Sequence, residues 1–195
     1  MAAMFNDRST PLSLLRTRRS GKPRDLAAPG PDAAQLRAMC ELALRTPDHG
    51  KLAPWRFVIV PDDKRADLAR TITDAYRAER PQAARLEIEA LESFATQAPA
   101  LVVVLFSPKI ESHIPLWEQE LSAGAVCMNL LHAAAAMGFA GGWLTGWSAY
   151  SQRVRDAFGA DPERIAGFVF IGTPVKQLEE RPRPDPDKII STWRG

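Results

Sequence analysis

The sequence predicts a layered domain of helices packed against a sheet, either mixed α/β or α+β. Three observations point there. The 195 residues are 46% hydrophobic and 25% charged, a globular balance long enough to bury one core, which excludes wholesale disorder and collagen-like classes. Three segments rich in β-branched and aromatic residues, 55–60, 101–106 and 166–171, read as strands. Between them apolar residues recur at helical spacing. Clean β-α-β alternation with a phosphate loop after the first strand is missing, so no dinucleotide fingerprint is present.

Taken in order, residues 1–9 read as a loose extension. A short helix is expected from about Pro11, with Leu12 and Leu15 packing and Arg16, Arg18 and Arg19 at its end. The stretch Gly21–Pro31, with three prolines and two glycines, reads as a loop. Pro31 or Asp32 opens a second helix whose apolar face is Leu36, Met39, Cys40, Ala43 and Leu44. Pro47 ends it by pushing its neighbour out of helical dihedrals. Leu68, Ile72, Ala75 and Tyr76 mark a third helix; Leu91, Phe94 and Ala95 mark a fourth, stopped near Pro99. Residues 101–106 are apolar on both faces and should form a central, fully buried strand. The longest helix is expected from about Trp117 to Met137, with Gly138 as its stop. Gly141–Trp143 reads as a short strand or turn, and Val154, Ala157 and Phe158 as a short helix ending at Gly159. After Gly172-Thr173-Pro174 the chain turns proline-rich and charged, and Ile189–Trp193 reads as a terminal strand.

Composition excludes several function classes. A net charge of +2 argues against a dedicated nucleic-acid coat. Cys40 and Cys127 form no C-x-x-C pair, so each reads as a small buried hydrophobe in a reducing compartment. His49, His113 and His132 lack ligand spacing, so no metal site is expected. No G-x-S-x-G elbow and no carboxylate pair stand out. The N-terminus lacks an apolar signal core. Ser122, Asn129 and His132 interrupt the apolar stretch 121–143, which reads as a helix buried in protein and not a membrane span.

Four clusters could carry chemistry. Arg16-Thr17-Arg18-Arg19-Ser20 offers planar guanidinium forks and a hydroxyl suited to phosphate oxygens, although the negative pole of a helix end also accounts for three arginines. Arg45–Gly50, followed by Pro54-Trp55, gathers polar side chains where a helix ends and a strand starts; a plain turn would look the same. Gly138–Gly146 is glycine-dense enough for backbone to approach a flat ligand. Trp117–Gly124 opens a helix with acidic residues, as the helix dipole alone would favour.

Together and in this order, the clusters resemble the nitroreductase superfamily of FMN flavoproteins, in particular its short branch of YdjA-type NAD(P)H nitroreductases. The resemblance runs from about Leu14 to Asp187. Its landmarks are Arg18-Arg19-Ser20, Arg45-x-Pro47-Asp48-His49 with Pro54-Trp55, the 115–124 stretch, Gly138-Phe139-x-Gly141 with Trp143-x-x-Gly146, and Gly172-Thr173-Pro174. It implies the α+β class: a central mixed sheet with helices on both sides, in an intertwined homodimer with FMN at the subunit interface. It implies a flexible extension at 1–13, one FMN-binding domain at 14–195, and an arm at 175–195 that docks on the partner. Carried over, Arg18, Arg19 and Ser20 would bind FMN, Arg18 at the phosphate or ribityl chain. Arg45 and His49 match flavin-contacting positions, His49 reaching from the second subunit. Trp143, Leu144 and Thr145 match the segment that passes the flavin ring. The sequence departs from the pattern at Leu144, where the branch commonly has a polar or cationic residue, and at Lys51, where the wider family has Asn. Arg181 and Arg183 are candidates for the basic residue that completes the phosphate site.

The implied activity is FMN-mediated hydride transfer from NADH or NADPH to a nitroaromatic, quinone or similar acceptor in a ping-pong cycle. The flavin carries the chemistry and no side chain is assigned as catalytic. The implied location is cytoplasmic. Two other readings remain at this stage: a related flavin enzyme with other chemistry, such as reductive dehalogenation or flavin breakdown, and a non-enzymatic module binding anions or nucleic acid through Arg16–Arg24.

Overall fold

In the computed structural model, which describes residues 5–195, one long strand organises the sheet. The strands are β1 (Leu26–Ala27), β2 (Trp55–Val60), β3 (Ala100–Phe106), β4 (Ala140–Leu144) and β5 (Arg164–Pro174). The helices are α1 (Pro11–Thr17), α2 (Ala33–Ala43), α3 (Arg65–Glu79), α4 (Arg85–Thr96), α5 (Leu116–Ala136), α6 (Trp147–Tyr150), α7 (Gln152–Asp156) and α8 (Pro186–Ile189). β5 pairs β3, which in turn pairs β2; β5 also pairs β4 at 168–172 and, near its C-terminal end, β1 at 173–174. Among the described residues every ladder is antiparallel, including those of the sheet expected to be mixed.

The two-faced apolarity of β3 has a direct structural counterpart. Successive side chains point to opposite faces of a sheet. Val102 and Val104 join Val169 and Ile171 in one core with α2 and α5, through Met39, Ala43, Val126 and Leu130. Leu101, Val103 and Leu105 join Phe168 and Phe170 in a second core with α3 and α4, through Leu68, Ile72 and Ala95. Helices therefore cover both faces, and the α+β class holds.

Local signals set the helix ends. Asp32 accepts the Gln35 amide at 2.7 Å while the Gln35 side chain accepts the Asp32 amide at 3.0 Å, a reciprocal capping box that opens α2. Gly138, at φ +93°, stops α5 in a conformation that L side chains rarely adopt. One device had no sequence signal. Arg65 is buried and donates to the carbonyls of Ala95, Gln97 and Ala98 at 2.9, 3.3 and 3.0 Å, closing the C-terminus of α4; burial lowers its pKa to about 10.

Several expectations need correction. Leu12 and Leu15 do not pack into a core among the described residues: α1 buries no residue and both leucines are exposed. Leu44 lies just past α2 and is exposed, because the helical face that buries Ala43 has ended there. The loop Gly21–Pro31 contains a 3₁₀ turn at Pro23–Asp25 and strand β1. Trp147–Tyr150 forms an unforeseen helical turn. Ile189–Trp193 is not a strand. Pro186 at the first helical position and the Asp185 cap start the turn α8, and residues 190–195 join no strand among the described residues. Residues 1–4 of the expected extension lie outside the described residues. Asn6 is tied to the body: its amide donates to the Thr17 carbonyl at 3.1 Å and its Oδ1 accepts the Arg19 amide at 2.8 Å.

Candidate functional site

The Arg18–Ser20 segment reaches β4 because glycines let the backbones touch. The Gly21 amide donates to the Gly141 carbonyl at 3.1 Å. A Cβ on Gly142 would meet the Gly21 carbonyl oxygen at 2.6 Å, so no side chain fits there. Between this contact and α5 lies a cavity of about 620 Å³. Arg18, Arg19, Ser20, Trp143 and Leu144 line it together with Met128 and Leu131 of α5. Five of the expected residues are thus brought to one place. Thr145 continues the chain beyond Leu144 and is exposed.

The polar wall of the cavity is cationic. Arg18 is half-buried, and its Nη1 donates to Ser20 Oγ at 3.2 Å. Burial lowers its pKa, and the nearby charges of Arg183 and Arg19 add to that. Arg18 forms no ion pair with a carboxylate among the described residues, whereas its neighbours are held. Arg19 Nε donates to the Glu179 carbonyl at 2.6 Å and lies 3.8 Å from Glu180 Oε1; Lys22 meets Glu179 at 3.0 Å. The C-terminal segment is thereby drawn over the cluster and brings Arg181 to the cavity wall. On α5, burial and the Arg18 charge lower the pKa of His132.

Arg45 and His49 do not join this group in a single chain. Their loop runs along α5 toward its N-terminus. Asn129 Nδ2 donates to Thr46 Oγ1 at 2.6 Å, Ser122 Oγ to the Pro47 carbonyl at 2.7 Å, and His49 Nδ1 lies 2.7 Å from Glu118 Oε2. At 1.5 Å rise per residue, Asn129 and Glu118 are about 16 Å apart along the helix. Arg45 therefore stands level with the cavity-lining stretch of α5, and His49 at the far end. The same contacts explain the 117–122 motif. Glu118 faces His49, Ser122 also accepts Trp55 Nε1 at 3.0 Å, and Gln119 pins the 109–114 loop through Lys109 and Ile114 at 2.8 and 3.0 Å. The loop beyond His49 is strained, with φ of +76° at Gly50, +56° at Lys51 and +47° at Ala53.

Trp143 lies across β5. Its Nε1 donates to the Ala166 carbonyl at 3.0 Å, and the indole rests on the bare face of Gly167, where a Cβ would stand 1.9 Å from Nε1. Trp143 also lines a second cavity of about 480 Å³ whose floor includes Phe106 and Ile165, so the indole divides the two. Sequence reasoning missed Met128, Leu131 and Gly167. An isolated glycine inside a strand was the one available signal, for Gly167. Among the described residues no cluster of His, Cys, Asp or Glu could hold a metal, and no helix is long and apolar enough to cross a membrane.

An antiparallel sheet covered by helices on both faces, with a cationic loop beside a glycine-rich strand, defines the class. The model of the Nitroreductase family matches residues 15–173, and the chain belongs to that family. Among its relatives, "Putative NAD(P)H nitroreductase" of Haemophilus influenzae is 37% identical over 185 residues, covering 93% of this chain and 98% of the relative. "Putative NAD(P)H nitroreductase YdjA" of Escherichia coli K12 is 33% identical over 182 residues, covering 92% and 97%. A solved variant of NfnB from Sphigopyxis sp. strain HMH, described as an FMN- and NADPH-dependent nitroreductase, superposes with a TM-score of 0.69 at 20% identity, covering 93% and 97%.

Proposed function

We propose that this chain is an FMN-dependent NAD(P)H oxidoreductase of the nitroreductase type, acting as a homodimer. One observation carries the reading. Arg18 is a half-buried guanidinium without a carboxylate partner among the described residues, beside Ser20, at a cavity of about 620 Å³. Such a group favours an anion, and a phosphate matches its fork of donors. The cavity suits FMN: Arg18–Ser20 for the phosphate or ribityl chain, and Met128, Leu131 and the Trp143–Leu144 edge as apolar walls for a flat ring. The names of the relatives, NAD(P)H nitroreductase and FMN- and NADPH-dependent nitroreductase, agree with this reading.

FMN, when bound, supplies the hydride transfer from NAD(P)H to a nitroaromatic or quinone-like acceptor. The chain's part is to bind and orient. Arg18, Arg19 and Ser20 hold the anionic end, and the backbone of Trp143, Leu144 and Thr145 runs along the ring. No side-chain nucleophile or base is required.

What a single chain leaves uncovered supports a second subunit. Trp117 and Leu121 recur at helical spacing on α5, at 67% and 55% exposure, and Leu12 and Leu15 of α1 are equally bare. Exposed apolar side chains grouped in this way support an interface there. The segment 175–195 buries no residue of its own and carries exposed Ile189, Ile190 and Trp193, as an arm docked on a partner would. Since His49 stands about 16 Å along α5 from the level of Arg45, we assign Arg45 to the flavin of its own subunit and His49 to that of the other. Two free, buried cysteines support a reducing, cytoplasmic setting.

The test begins with the spectrum of the purified protein, which should show bound flavin that NADH or NADPH bleaches anaerobically. Arg18→Ala should weaken FMN binding at least ~tenfold, the scale of one charge-assisted hydrogen bond. Mixing Arg18→Ala with His49→Ala subunits should restore up to about half the activity per mixed dimer, because one of two composite sites escapes both lesions. A colourless protein that FMN does not titrate would overturn the reading. No restoration despite proven subunit exchange would overturn the shared site.

A further inference from the structure

The cavity that holds Arg18 is over-supplied with positive charge for one phosphate. Arg18, Arg19, Lys22, Arg24 and Arg181 line it, and no Asp or Glu does. A phosphate monoester carries about −1.5 to −2 at neutral pH. Arg18, Arg19 and Ser20 are assigned above to one such group. Arg24 and Arg181 are exposed, and neither forms an ion pair with a carboxylate among the described residues. Nearby carboxylates are occupied: Asp25 by Lys176 at 2.7 Å, Glu179 by Lys22 at 3.0 Å, and Glu180 by Arg183 at 3.4 Å. Lys22 and Arg24 also line an adjoining pocket of about 170 Å³ with Lys176, Asp25 and Glu179, where both lysines are paired with these carboxylates and Arg24 is not.

This pattern bears on the choice between the two hydride donors. NADH and NADPH share a pyrophosphate and differ by the 2′-phosphate on the adenosine ribose. A site selective for NADH reads the free ribose hydroxyls with a carboxylate, and one selective for NADPH meets the 2′-phosphate with arginine. Here no free carboxylate is on offer and two free guanidinium groups are. Resting on the oxidoreductase reading above, we infer that Arg24 and Arg181 bind the 2′-phosphate of the donor and make the enzyme selective for NADPH.

The experiment titrates flavin-loaded protein by calorimetry with adenosine 2′,5′-bisphosphate and with adenosine 5′-monophosphate, then measures kcat/KM for both donors. The bisphosphate should bind at least ~tenfold tighter than the monophosphate. Arg24→Glu and Arg181→Glu should each shrink that preference and lower kcat/KM for NADPH by a similar factor. In Arg24→Glu, FMN affinity and kcat/KM for NADH should stay within about twofold. The more conservative Arg24→Gln should give a smaller loss in the same direction, which separates charge recognition from misfolding. Wild-type protein without preference for the bisphosphate would overturn the inference. So would equal losses for both donors, the mark of a pyrophosphate contact, or a loss of FMN affinity, the mark of a flavin-phosphate contact. Selective binding of the bisphosphate by a protein whose flavin neither donor reduces would uphold this site and overturn the function proposed above.

Discussion

Replacing Gly167 by alanine should unseat Trp143. The added Cβ would stand 1.9 Å from the indole Nε1 and 2.3 Å from Cδ1, far inside contact distance, and the strand backbone at 167 is held in register against Val104 of β3. The indole must therefore move. It forfeits the hydrogen bond to the Ala166 carbonyl, worth about 1 kcal/mol net. At 37% exposure most of the side chain is covered, so displacement uncovers roughly 100 Å² of apolar surface, or ~2.5 kcal/mol at ~25 cal/mol per Å². The expected destabilisation is about 3 kcal/mol, read from urea midpoints and slopes. A double-mutant cycle isolates the cause. In a Trp143→Ala background the same Gly167→Ala change should cost less than about 0.5 kcal/mol, because the clash has no partner, giving a coupling of about 2–3 kcal/mol. FMN affinity should fall in Gly167→Ala as the wall between the two cavities shifts. Additive effects within about 0.5 kcal/mol would refute the argument that the glycine exists to seat this indole.

Three further outcomes are expected. Arg56, which reaches Glu163 through Nε and Nη2 at 2.7 and 2.9 Å, holds its carboxyl down from 4.5 to about 2. The stability this gives is complete above the unfolded value of 4.5 and is lost as pH falls toward about 2, so the urea-midpoint gap between wild type and Glu163→Gln should be constant from about pH 7 to 5 and close below that window. Burial pushes the Cys40 and Cys127 thiols up to about 11 and about 12, so a disulfide reagent at pH 8 should label neither in the folded protein and both in urea. Ala53 sits at φ +47°, so Ala53→Gly should be neutral or stabilising by up to about 1 kcal/mol, and Ala53→Val destabilising, in thermal melts.

The fold was legible where the signal is local and repeated. Strand β2 lies at 55–60 as read, because its β-branched and aromatic run has one periodicity and clear stops at Pro54 and Pro61. β3 is buried on both faces because it was apolar on both faces. The end of α5 at Gly138 needed only a residue that tolerates positive φ. Errors fell where a segment lacks a partner among the described residues. Leu12 and Leu15 are apolar but uncovered, and Ile189–Trp193 has β-forming side chains but no strand edge to join. Hydrophobicity tells that a residue wants cover; it does not tell which surface provides it.

The candidate site divides in the same way. Sequence by itself determined the chemistry on offer: the Arg18-Arg19-Ser20 run, the His49 loop and the glycines before Trp143, each a contiguous motif whose residue types suit an anion, a polar contact or close backbone approach. Only the tertiary structure decided which of these meet. It set Arg18–Ser20 against Trp143 and Leu144 through the Gly21–Gly141 contact, bridging some 120 residues of chain. It drew Glu179 onto Arg19 and Lys22 and so carried Arg181 to the cavity wall. It also sent His49 to the opposite end of α5, beside Glu118. The reason is physical. Side-chain chemistry is written locally, but distance between motifs is set by the packing of sheet and helices, which depends on every residue of both cores at once.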